Sequence, residues 1–183
     1  MSVSKISESF LVTEEDFINM QLARRCYYVS PKRKIILRIM GMIAVFSGAA
    51  ATIFVKVGVW QMFCWILLIL TGFYMLSYYD VIDPLMIKNA SSRFYQFNKN
   101  AINSRTIEFA EDKFSVISED YKLELPEKYI YCIAESPSTI FIFTDKSEFV
   151  FIPRRVLSDE KIRFIRSFTS AEKYKTIQIP KEA

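Results

Sequence analysis

Two long apolar segments constrain this chain more than any other feature of its sequence. Residues 35–55 contain a single charge, Arg38, residues 59–79 contain none, and only three residues separate the two runs. Each run of 21 residues would form a helix about 31 Å long, which matches the hydrocarbon thickness of a bilayer. Buried helices of soluble proteins rarely need so many uncharged residues. The pattern therefore predicts two transmembrane helices, 35–55 and 59–79, in a tight hairpin spanning residues 35–80.

Lysine and arginine residues are concentrated on one side of this predicted hairpin. Five of them precede the first run closely, three follow the second run within residues 81–104, and the connection carries only Lys56. Basic flanks of transmembrane helices stay in the cytoplasm, so both termini are predicted to be cytoplasmic. Arg38 lies one turn inside the first run and is expected to extend back to the headgroups.

A basic cluster, Lys32, Arg33 and Lys34, lies directly before the first run. Such a cluster fixes the orientation of the hairpin, and it can also attract anionic lipid headgroups. The sequence leaves both roles open for these three residues.

A stripe of small residues runs along the first predicted helix. Ala44, Gly48 and Thr52 recur every four residues and therefore share one side of the helix. Small residues allow helix backbones to approach closely in membranes. The stripe predicts close packing against the second helix of the same chain or, alternatively, against a second copy in a homo-oligomer.

The parts flanking the hairpin differ in pattern. Residues 1–34 are predicted to form a cytoplasmic segment with a short helix, because Thr13 stands three residues before Asp16 as a helix cap does. Residues 81–104 are predicted to form a linker helix. From residue 105 onward, apolar and polar residues alternate with a period of two between turn clusters, which predicts six short strands in an antiparallel meander.

A C-terminal helix is predicted after these strands, because Ser158 is a good cap and acidic residues follow it. Six strands followed by one helix is the element order of pleckstrin-homology-like domains. The predicted fold is an α+β membrane protein, in which a two-helix transmembrane hairpin accompanies a small cytoplasmic antiparallel β domain with a C-terminal helix, residues 105–183. Its core is expected to contain the following residues: Phe141, Phe143, Phe149, Phe151, Ile162 and Ile165.

The composition argues against catalysis. The chain has no histidine, which removes histidine-based triads and the usual general base near neutral pH, and its four glycines form no phosphate-binding loop. Its three cysteines are widely spaced, and a net charge of +4 is too small to indicate nucleic acid. We predict no enzymatic activity, no cofactor, no metal and no nucleic-acid partner.

The segment Phe-Val-Phe-Ile-Pro-Arg-Arg, residues 149–155, resembles the Ile-Pro-Lys-Arg segment of the YcxB-like family of bacterial membrane proteins. Arg154 stands where that family commonly has lysine. A Thr-Glu-Glu-Asp-Phe segment at residues 13–17, the two adjacent apolar runs, and Arg-Phe-Tyr at residues 93–95 also fit the family. The resemblance extends over nearly the whole chain. It implies a small bacterial inner-membrane protein that crosses the membrane more than once, and it implies no activity.

The same motif can be interpreted physically. Pro153 cannot donate a hydrogen bond to a sheet, so it should end the last strand and fix the turn into the helix. Arg154 and Arg155 would then lie at a strand-to-helix corner. They either contact an anion or lipid headgroup or form a structural corner with salt bridges or solvated side chains.

Two functions agree with these features. In the first, the cytoplasmic β domain binds a protein or lipid partner in a regulatory or scaffold role at the membrane. In the second, the chain is an immunity or self-protection protein against a membrane-acting toxin or bacteriocin. A small chain with two spans and no catalytic equipment suits either function.

Overall fold

The structure is a computed structural model that describes residues 6–54, 58–98, 104–110, 113–118 and 121–177. It divides into two compact units. The first, here called the β unit, contains the chain up to Cys26 and from Lys88 onward, and the second, the helical unit, contains Tyr27–Ile87.

The described residues form five α-helices and eight strands. The helices are α1 (Glu14–Tyr28), α2 (Pro31–Phe54), α3 (Val59–Ser77), α4 (Asp83–Phe97) and α5 (Asp159–Ser167). The strands are β1 (Ile6–Leu11), β2 (Ser104–Phe109), β3 (Lys113–Ser118), β4 (Tyr121–Pro126), β5 (Cys132–Glu135), β6 (Thr139–Phe143), β7 (Phe149–Pro153) and β8 (Tyr174–Thr176). The fold is therefore α+β.

The strands form two four-stranded sheets, with orders β1-β2-β3-β4 and β7-β6-β5-β8. All pairs are antiparallel except β5 and β8, which are parallel. The six predicted strands are present as β2–β7, but they form two antiparallel meanders of three strands in separate sheets, so the prediction of one continuous meander is wrong. Tyr129 and Tyr131, which were expected to alternate within a strand, are 58% and 44% exposed, and a 3-10 turn ends at Tyr129. Alternating tyrosines satisfy the period of a strand, but the strand itself begins only at Cys132.

β1 precedes the two apolar helices in the sequence, whereas its partner strand β2 follows them. β1 pairs with β2 over six residues, from Ile6 opposite Phe109 to Leu11 opposite Ser104. Residues 1–34 are predicted to be a separate cytoplasmic segment, whereas in the structure the chain up to Cys26 belongs to the β unit. The pairing satisfies the backbone groups that the two strands direct towards each other, and Phe10 of β1 is buried.

The helix that follows the apolar pair also belongs mainly to the β unit. The Phe94 ring of α4 stacks on Phe17 of α1 at a centroid distance of 5.6 Å, and the Tyr95 hydroxyl donates to the Val12 carbonyl at 3.0 Å. Within the predicted linker helix, residues 81–104, the structure has α4 between Asp83 and Phe97. Residues 99–103 lie outside the described part of the chain, and Ser104 begins β2 instead of ending the linker.

The core of the β unit agrees with the sequence prediction in most positions. Five of the six residues expected there are buried: Phe141, Phe143, Phe151, Ile162 and Ile165. Phe149 is only half-buried, because it lies at the first residue of edge strand β7. The predicted cap of α5 is confirmed, since the Ser158 hydroxyl accepts a hydrogen bond from the Lys161 amide.

The helical unit consists of α2 packed against α3. Gly41 lies against Gly72, and Gly48 lies against Trp65 and Ile69, so the two helices run antiparallel. A π-helical turn, Tyr78–Ile82, continues α3 into α4. Pro31–Phe54 and Val59–Phe97 are both long and apolar enough to cross a membrane, and only 11% and 6% of their most apolar segments are buried.

Candidate functional site at the strand-to-helix corner

The end of β7 forms the corner that the sequence motif predicted. β7 is an edge strand of its sheet and ends at Pro153. Proline has no backbone N–H to donate, and it is tolerated at the end of an edge strand. Residues Arg154–Val156 then form a 3-10 turn. The Arg154 amide donates to the Ser138 carbonyl at 2.8 Å, which ties the turn to the preceding hairpin. The backbone that carries both arginine side chains is therefore held in place by this turn and its hydrogen bond.

Arg155 binds the carboxylate of Asp16. Its Nε lies 3.0 Å from Oδ1, its Nη2 lies 2.6 Å from Oδ2, and Nη2 also donates to the Leu11 carbonyl at 2.9 Å. Asp16 in turn accepts a hydrogen bond from the Thr13 amide at 2.9 Å, and Thr13 Oγ1 accepts one from the Asp16 amide. This reciprocal pair is the predicted cap of α1, so one carboxylate both caps a helix and anchors the corner.

The electrostatics of Asp16 follow from these contacts. Its side chain is 8% exposed. Burial raises the pKa of Asp16, but the hydrogen bonds from Arg155 and Thr13 and the charge of Arg155 outweigh burial, and the pKa is lowered overall. Asp16 is therefore a carboxylate near neutral pH, and Arg155 supplies its countercharge.

Arg154 contacts a second carboxylate, Glu135, at the end of β5. The distance from Arg154 Nη1 to Glu135 Oε1 is 3.3 Å. Glu135 is also held by Arg166 of α5, whose Nε and Nη2 each lie 2.9 Å from a carboxylate oxygen, and by the hydroxyl of Tyr174. Glu135 thus joins three elements of the β unit: the corner, α5 and β8.

The pKa values in this cluster respond to burial and to hydrogen bonding. Burial raises the pKa of Glu135, yet its bonds to Arg166 and Tyr174 and the charges of Arg166 and Arg154 lower it overall. Burial and the bond to Glu135 raise the pKa of Tyr174 to about 12. Near neutral pH the cluster therefore contains a carboxylate, a neutral phenol and two guanidinium groups.

The corner presents two guanidinium groups to solvent. The Arg154 and Arg155 side chains remain 38% and 50% exposed, so each can contact solvent while bound to its carboxylate. The ion pairs agree with the structural alternative of the sequence analysis. Contact with an anion or lipid headgroup stays a prediction. Among the described residues, no cluster of histidine, cysteine, aspartate or glutamate could hold a metal ion.

The basic cluster lies at the beginning of α2. Lys32 and Arg33 are exposed, and Lys34 is half-buried with its Nζ 6.0 Å from the centroid of the Tyr79 ring. Positive charges at a helix N-terminus oppose the helix dipole, so these residues do not stabilise α2 by this means. Their position agrees with a role in orienting the hairpin, and lipid contact stays a prediction.

The small-residue stripe is only partly used in packing. Gly48 is buried, Ala44 is half-buried, and Thr52 is exposed, with its hydroxyl bonded to the Ala49 carbonyl at 2.7 Å. A Cβ at Gly48 would lie 2.7 Å from Ile69 Cγ1 and 3.2 Å from the Trp65 carbonyl oxygen. The expected close packing of Gly48 against the second helix of the same chain is therefore present.

The close approach of the two helices at Gly41 and Gly72 was not predicted from the sequence. A Cβ at Gly72 would lie 2.7 Å from the Gly41 carbonyl oxygen, and one at Gly41 would lie 2.9 Å from the Gly72 carbonyl oxygen. Gly41 precedes Gly48 by seven residues, or two helical turns. This spacing was a usable signal, because residues seven apart share a helix face.

A second contact that was not predicted joins α2 to the π-helical turn that follows α3. Arg38 Nη2 lies 2.6 Å from Asp80 Oδ2 and 2.9 Å from Oδ1. Arg38 is predicted to extend to the headgroups, whereas in the structure its guanidinium binds Asp80. The antiparallel packing of α2 on α3 brings the two together although 42 positions separate them.

The fold and these contacts define the class: an α+β protein in which two antiparallel apolar helices, each long enough to cross a membrane, connect the first strand of a two-sheet unit to its second strand. Residues 109–169 match the sequence profile of a family described as YcxB-like protein. The family resemblance predicted from the sequence is thereby confirmed over 61 of the 183 residues, including the whole corner. No curated protein and no solved structure matched the chain.

Proposed function

We propose that this chain is a non-enzymatic protein of the bacterial inner membrane whose β unit lies in the cytoplasm and binds a protein or lipid partner in a regulatory or scaffold role. The observation that carries the proposal is the pairing of β1 with β2. One sheet is built from the two segments that flank the apolar helices, so the hairpin carries a single folded module.

The membrane part of the proposal is supported by side-chain exposure. Large apolar side chains cover the outside of the helical unit, among them Ile43, Phe46, Leu70 and Phe73, all more than half exposed. A soluble protein would bury such surface against another element. In a bilayer, the same side chains would face lipid tails.

The strand pairing also restricts the topology. β1 precedes α2, β2 follows α4, and six residue pairs join them. Two strands of one sheet cannot lie on opposite sides of a bilayer, so the pairing supports a topology in which both flanks of the hairpin share one side. The basic residues on those flanks favour the cytoplasm as that side.

The element order favours a binding module. Strands β1–β4 form one sheet, β5–β7 belong to the next, and α5 follows them. Four strands, three strands and a helix is the order of pleckstrin-homology-like domains, and it fits better once β1 is counted. This analogy concerns the fold, and the binding role is inferred from it together with the lack of histidine in the chain.

Reporter fusions test the topology. A reporter fused at the N-terminus, at residue 57 and at Ala183 should give a cytoplasmic signal at both ends and an outside signal in the connection. An outside signal at Ala183 would contradict the proposed orientation.

Affinity capture from detergent-solubilised membranes tests the binding role. The tagged wild-type chain should enrich a specific protein or lipid. A Phe151→Asp chain is the matched control, because it disrupts the β unit and leaves the helical unit unchanged. Equal capture by both chains would assign binding to the hairpin and contradict the proposal.

A further inference from the structure

The arginines of the β unit that bind Asp16 and Glu135 differ in how many of their donors are used. Arg155 and Arg166 each hold a carboxylate with Nε and Nη2, which is the paired geometry that binds a carboxylate most firmly. Arg154 makes one ion pair, from Nη1 to a Glu135 oxygen at 3.3 Å, and its guanidinium makes no hydrogen bond within the described part of the chain. Because 38% of its side chain is exposed, Arg154 has N–H donors that a ligand can reach.

A second unused donor lies in the turn between β5 and β6. Ser138 is half-buried and its Oγ is shielded from solvent, yet this hydroxyl has no hydrogen-bond partner among the described residues. The turn is otherwise well satisfied, because the Ser136 hydroxyl accepts from the Thr139 amide at 2.9 Å and donates to the Thr139 carbonyl at 2.8 Å. Shielded polar groups without a partner are rare in folded proteins, so the Ser138 hydroxyl is a donor that calls for an acceptor.

The fold brings these two donors close together. Thr139 and Pro153 form the last residue pair between β6 and β7, and Ser138 and Arg154 are the next residues beyond it. The Arg154 amide donates to the Ser138 carbonyl at 2.8 Å, so the two residues remain opposite each other. Opposed residues of an antiparallel pair have Cβ atoms about 4.5–5.5 Å apart, which is within the length of an arginine side chain.

The balance of charge around Arg154 also favours an anion. Arg154 and Arg166 both contact Glu135, so two guanidinium groups face one carboxylate. Arg166 binds both carboxylate oxygens of Glu135, and the Tyr174 hydroxyl donates to one of them. Glu135 therefore does not depend on Arg154 for its hydrogen bonds. An anion at the unused donors of Arg154 would balance the second positive charge.

A phosphate group fits these two donors better than a carboxylate does. The fork of an arginine side chain binds two oxygens of either anion in one plane. A carboxylate then has no further oxygen, whereas a tetrahedral phosphate group has another oxygen outside that plane. The hydroxyl of a neighbouring serine can donate to this additional oxygen, and Ser138 provides such a hydroxyl next to Arg154.

We propose that Arg154 and Ser138 form a binding site for a phosphate group, in which the guanidinium donates to two phosphate oxygens and the hydroxyl donates to a third. Arg155 does not belong to this site, because its donors hold Asp16 and the Leu11 carbonyl. The inference rests on the proposed binding function and names the chemistry of its ligand. Such a group is carried both by anionic lipid headgroups and by small soluble phosphate compounds, and the experiment distinguishes these two sources.

Calorimetry of the full-length chain, in a non-ionic detergent at low salt, tests the site with inorganic phosphate. The wild type should bind it, whereas Arg154→Gln should weaken binding at least about tenfold and Ser138→Ala about fivefold. Ser147→Ala is the matched control, because Ser147 is an exposed serine in the next turn of the same sheet, and it should bind as the wild type does. Absence of binding by the wild type, or unweakened binding by Ser138→Ala, would overturn the proposal.

Thermal unfolding separates ligand binding from a structural role of the hydroxyl. Ser138→Ala should unfold at the temperature of the wild type or slightly above it, because it removes a shielded hydroxyl that has no partner among the described residues. Added phosphate should raise the unfolding temperature of the wild type and leave that of Arg154→Gln unchanged. A Ser138→Ala chain that unfolds at a clearly lower temperature would assign the hydroxyl to the fold and contradict the site.

Two further probes identify the source of the phosphate group. If the site binds a lipid headgroup, glycerophosphoglycerol should bind at least as tightly as inorganic phosphate. Reconstitution of the chain in nanodiscs that contain phosphatidylglycerol should then suppress the binding of added phosphate, compared with nanodiscs of phosphatidylcholine alone. If the site binds a small soluble compound, inorganic phosphate should bind equally in both kinds of nanodisc and glycerophosphoglycerol should not bind.

The outcomes also separate this site from the broader proposal. If phosphate does not bind and membrane capture still enriches a partner over the Phe151→Asp control, the proposed function stands and the phosphate site is excluded. If phosphate binds as expected and the two chains capture equally, the site stands and the proposed binding role of the β unit in capture is contradicted.

Discussion

Arg155 and Asp16 stand 139 positions apart in the sequence, yet the guanidinium of one holds both carboxylate oxygens of the other. Asp16 precedes the apolar helices and Arg155 belongs to the corner that follows β7. The contact therefore fastens the N-terminal helix of the β unit to the family-matched segment. Its energetic contribution can be measured directly.

Replacing Arg155 with Gln should lower the free energy of unfolding of the β unit by about 1–2 kcal/mol. The variant leaves a largely buried carboxylate without its countercharge, and the exposure of the arginine moderates the loss. Hydrogen exchange of the β6 amides measures the effect. Arg163→Gln, at an exposed position on α5, is the control and should change stability by no more than about 0.5 kcal/mol. Equal effects of the two substitutions would contradict a specific anchor.

Stability should decline in acid because the carboxyl groups of Asp16 and Glu135, both bound by arginine side chains, have lowered pKa values in the folded chain. Their ordinary values are 3.8 for Asp16 and 4.5 for Glu135. Such groups stabilise the fold fully above their ordinary pKa values, and this contribution is lost as the pH falls through the folded-state values. The unfolding free energy should be level from neutral pH to about pH 5 and then fall. Urea unfolding at a series of pH values tests this, and Asp16→Asn with Glu135→Gln should flatten the acid limb.

Gly72→Ala should destabilise the helical unit. The added Cβ would lie 2.6 Å from Val45 Cγ2 and 2.7 Å from the Gly41 carbonyl oxygen, so the backbones must separate. Overpacking of this kind costs about 1–3 kcal/mol. Thermal unfolding in detergent, followed by helical circular dichroism, measures it. Gly58→Ala is the matched control, because a Cβ there meets nothing within 4 Å. A Gly72→Ala chain as stable as this control would contradict the prediction, because the two helices would then accommodate the added Cβ without a loss of stability.

Phe151→Ala should lower the unfolding free energy of the β unit by about 3–5 kcal/mol if the resulting cavity does not collapse. Phe151 is 4% exposed, and the Arg105 guanidinium lies 5.2 Å from its ring centroid. Hydrogen exchange of strands β6 and β7 reports the loss. Phe97 is 89% exposed, so Phe97→Ala should have little effect by the same method. A loss below about 1 kcal/mol at Phe151 would show that this ring contributes little to the core.

Arg154→Gln tests the predicted anion contact separately from the anchor at Arg155. Arg154 makes a single 3.3 Å ion pair, so its replacement should leave thermal stability nearly unchanged. Binding of glycerophosphoglycerol, a soluble analogue of an anionic headgroup, should weaken several-fold in low-salt calorimetry. Arg163→Gln is again the control. No binding by the wild type would exclude a headgroup contact at the corner.

Periodicity predicted the apolar helices and the last helix well, because each depends on local pattern. The two apolar runs became α2 and α3 within a few residues, and Ser158 caps α5 as expected. The alternation after residue 105 predicted strands correctly. It could not predict their division into two sheets, because sheet membership depends on non-local pairing.

The contacts of the corner show the same limit. Pro153 predicted where β7 ends, since its missing donor is a local property. The partners of Arg154 and Arg155 could not be predicted, because Glu135 and Asp16 resemble any other acidic residue in the sequence. Only the folded chain brings these carboxylates to the two arginines.

The pairing of β1 with β2 sets an order of events during synthesis. Ser7 and Glu108, which hydrogen-bond across this pair, are 101 positions apart. At a chain growth of about 5–20 residues per second, β1 leaves the ribosome on the order of 5–20 s before its partner strand. During that interval its backbone edge is open, and open edges invite wrong pairing. The two apolar helices are synthesised within that interval, so a chain stalled there would expose an unpaired strand to chaperones and proteases.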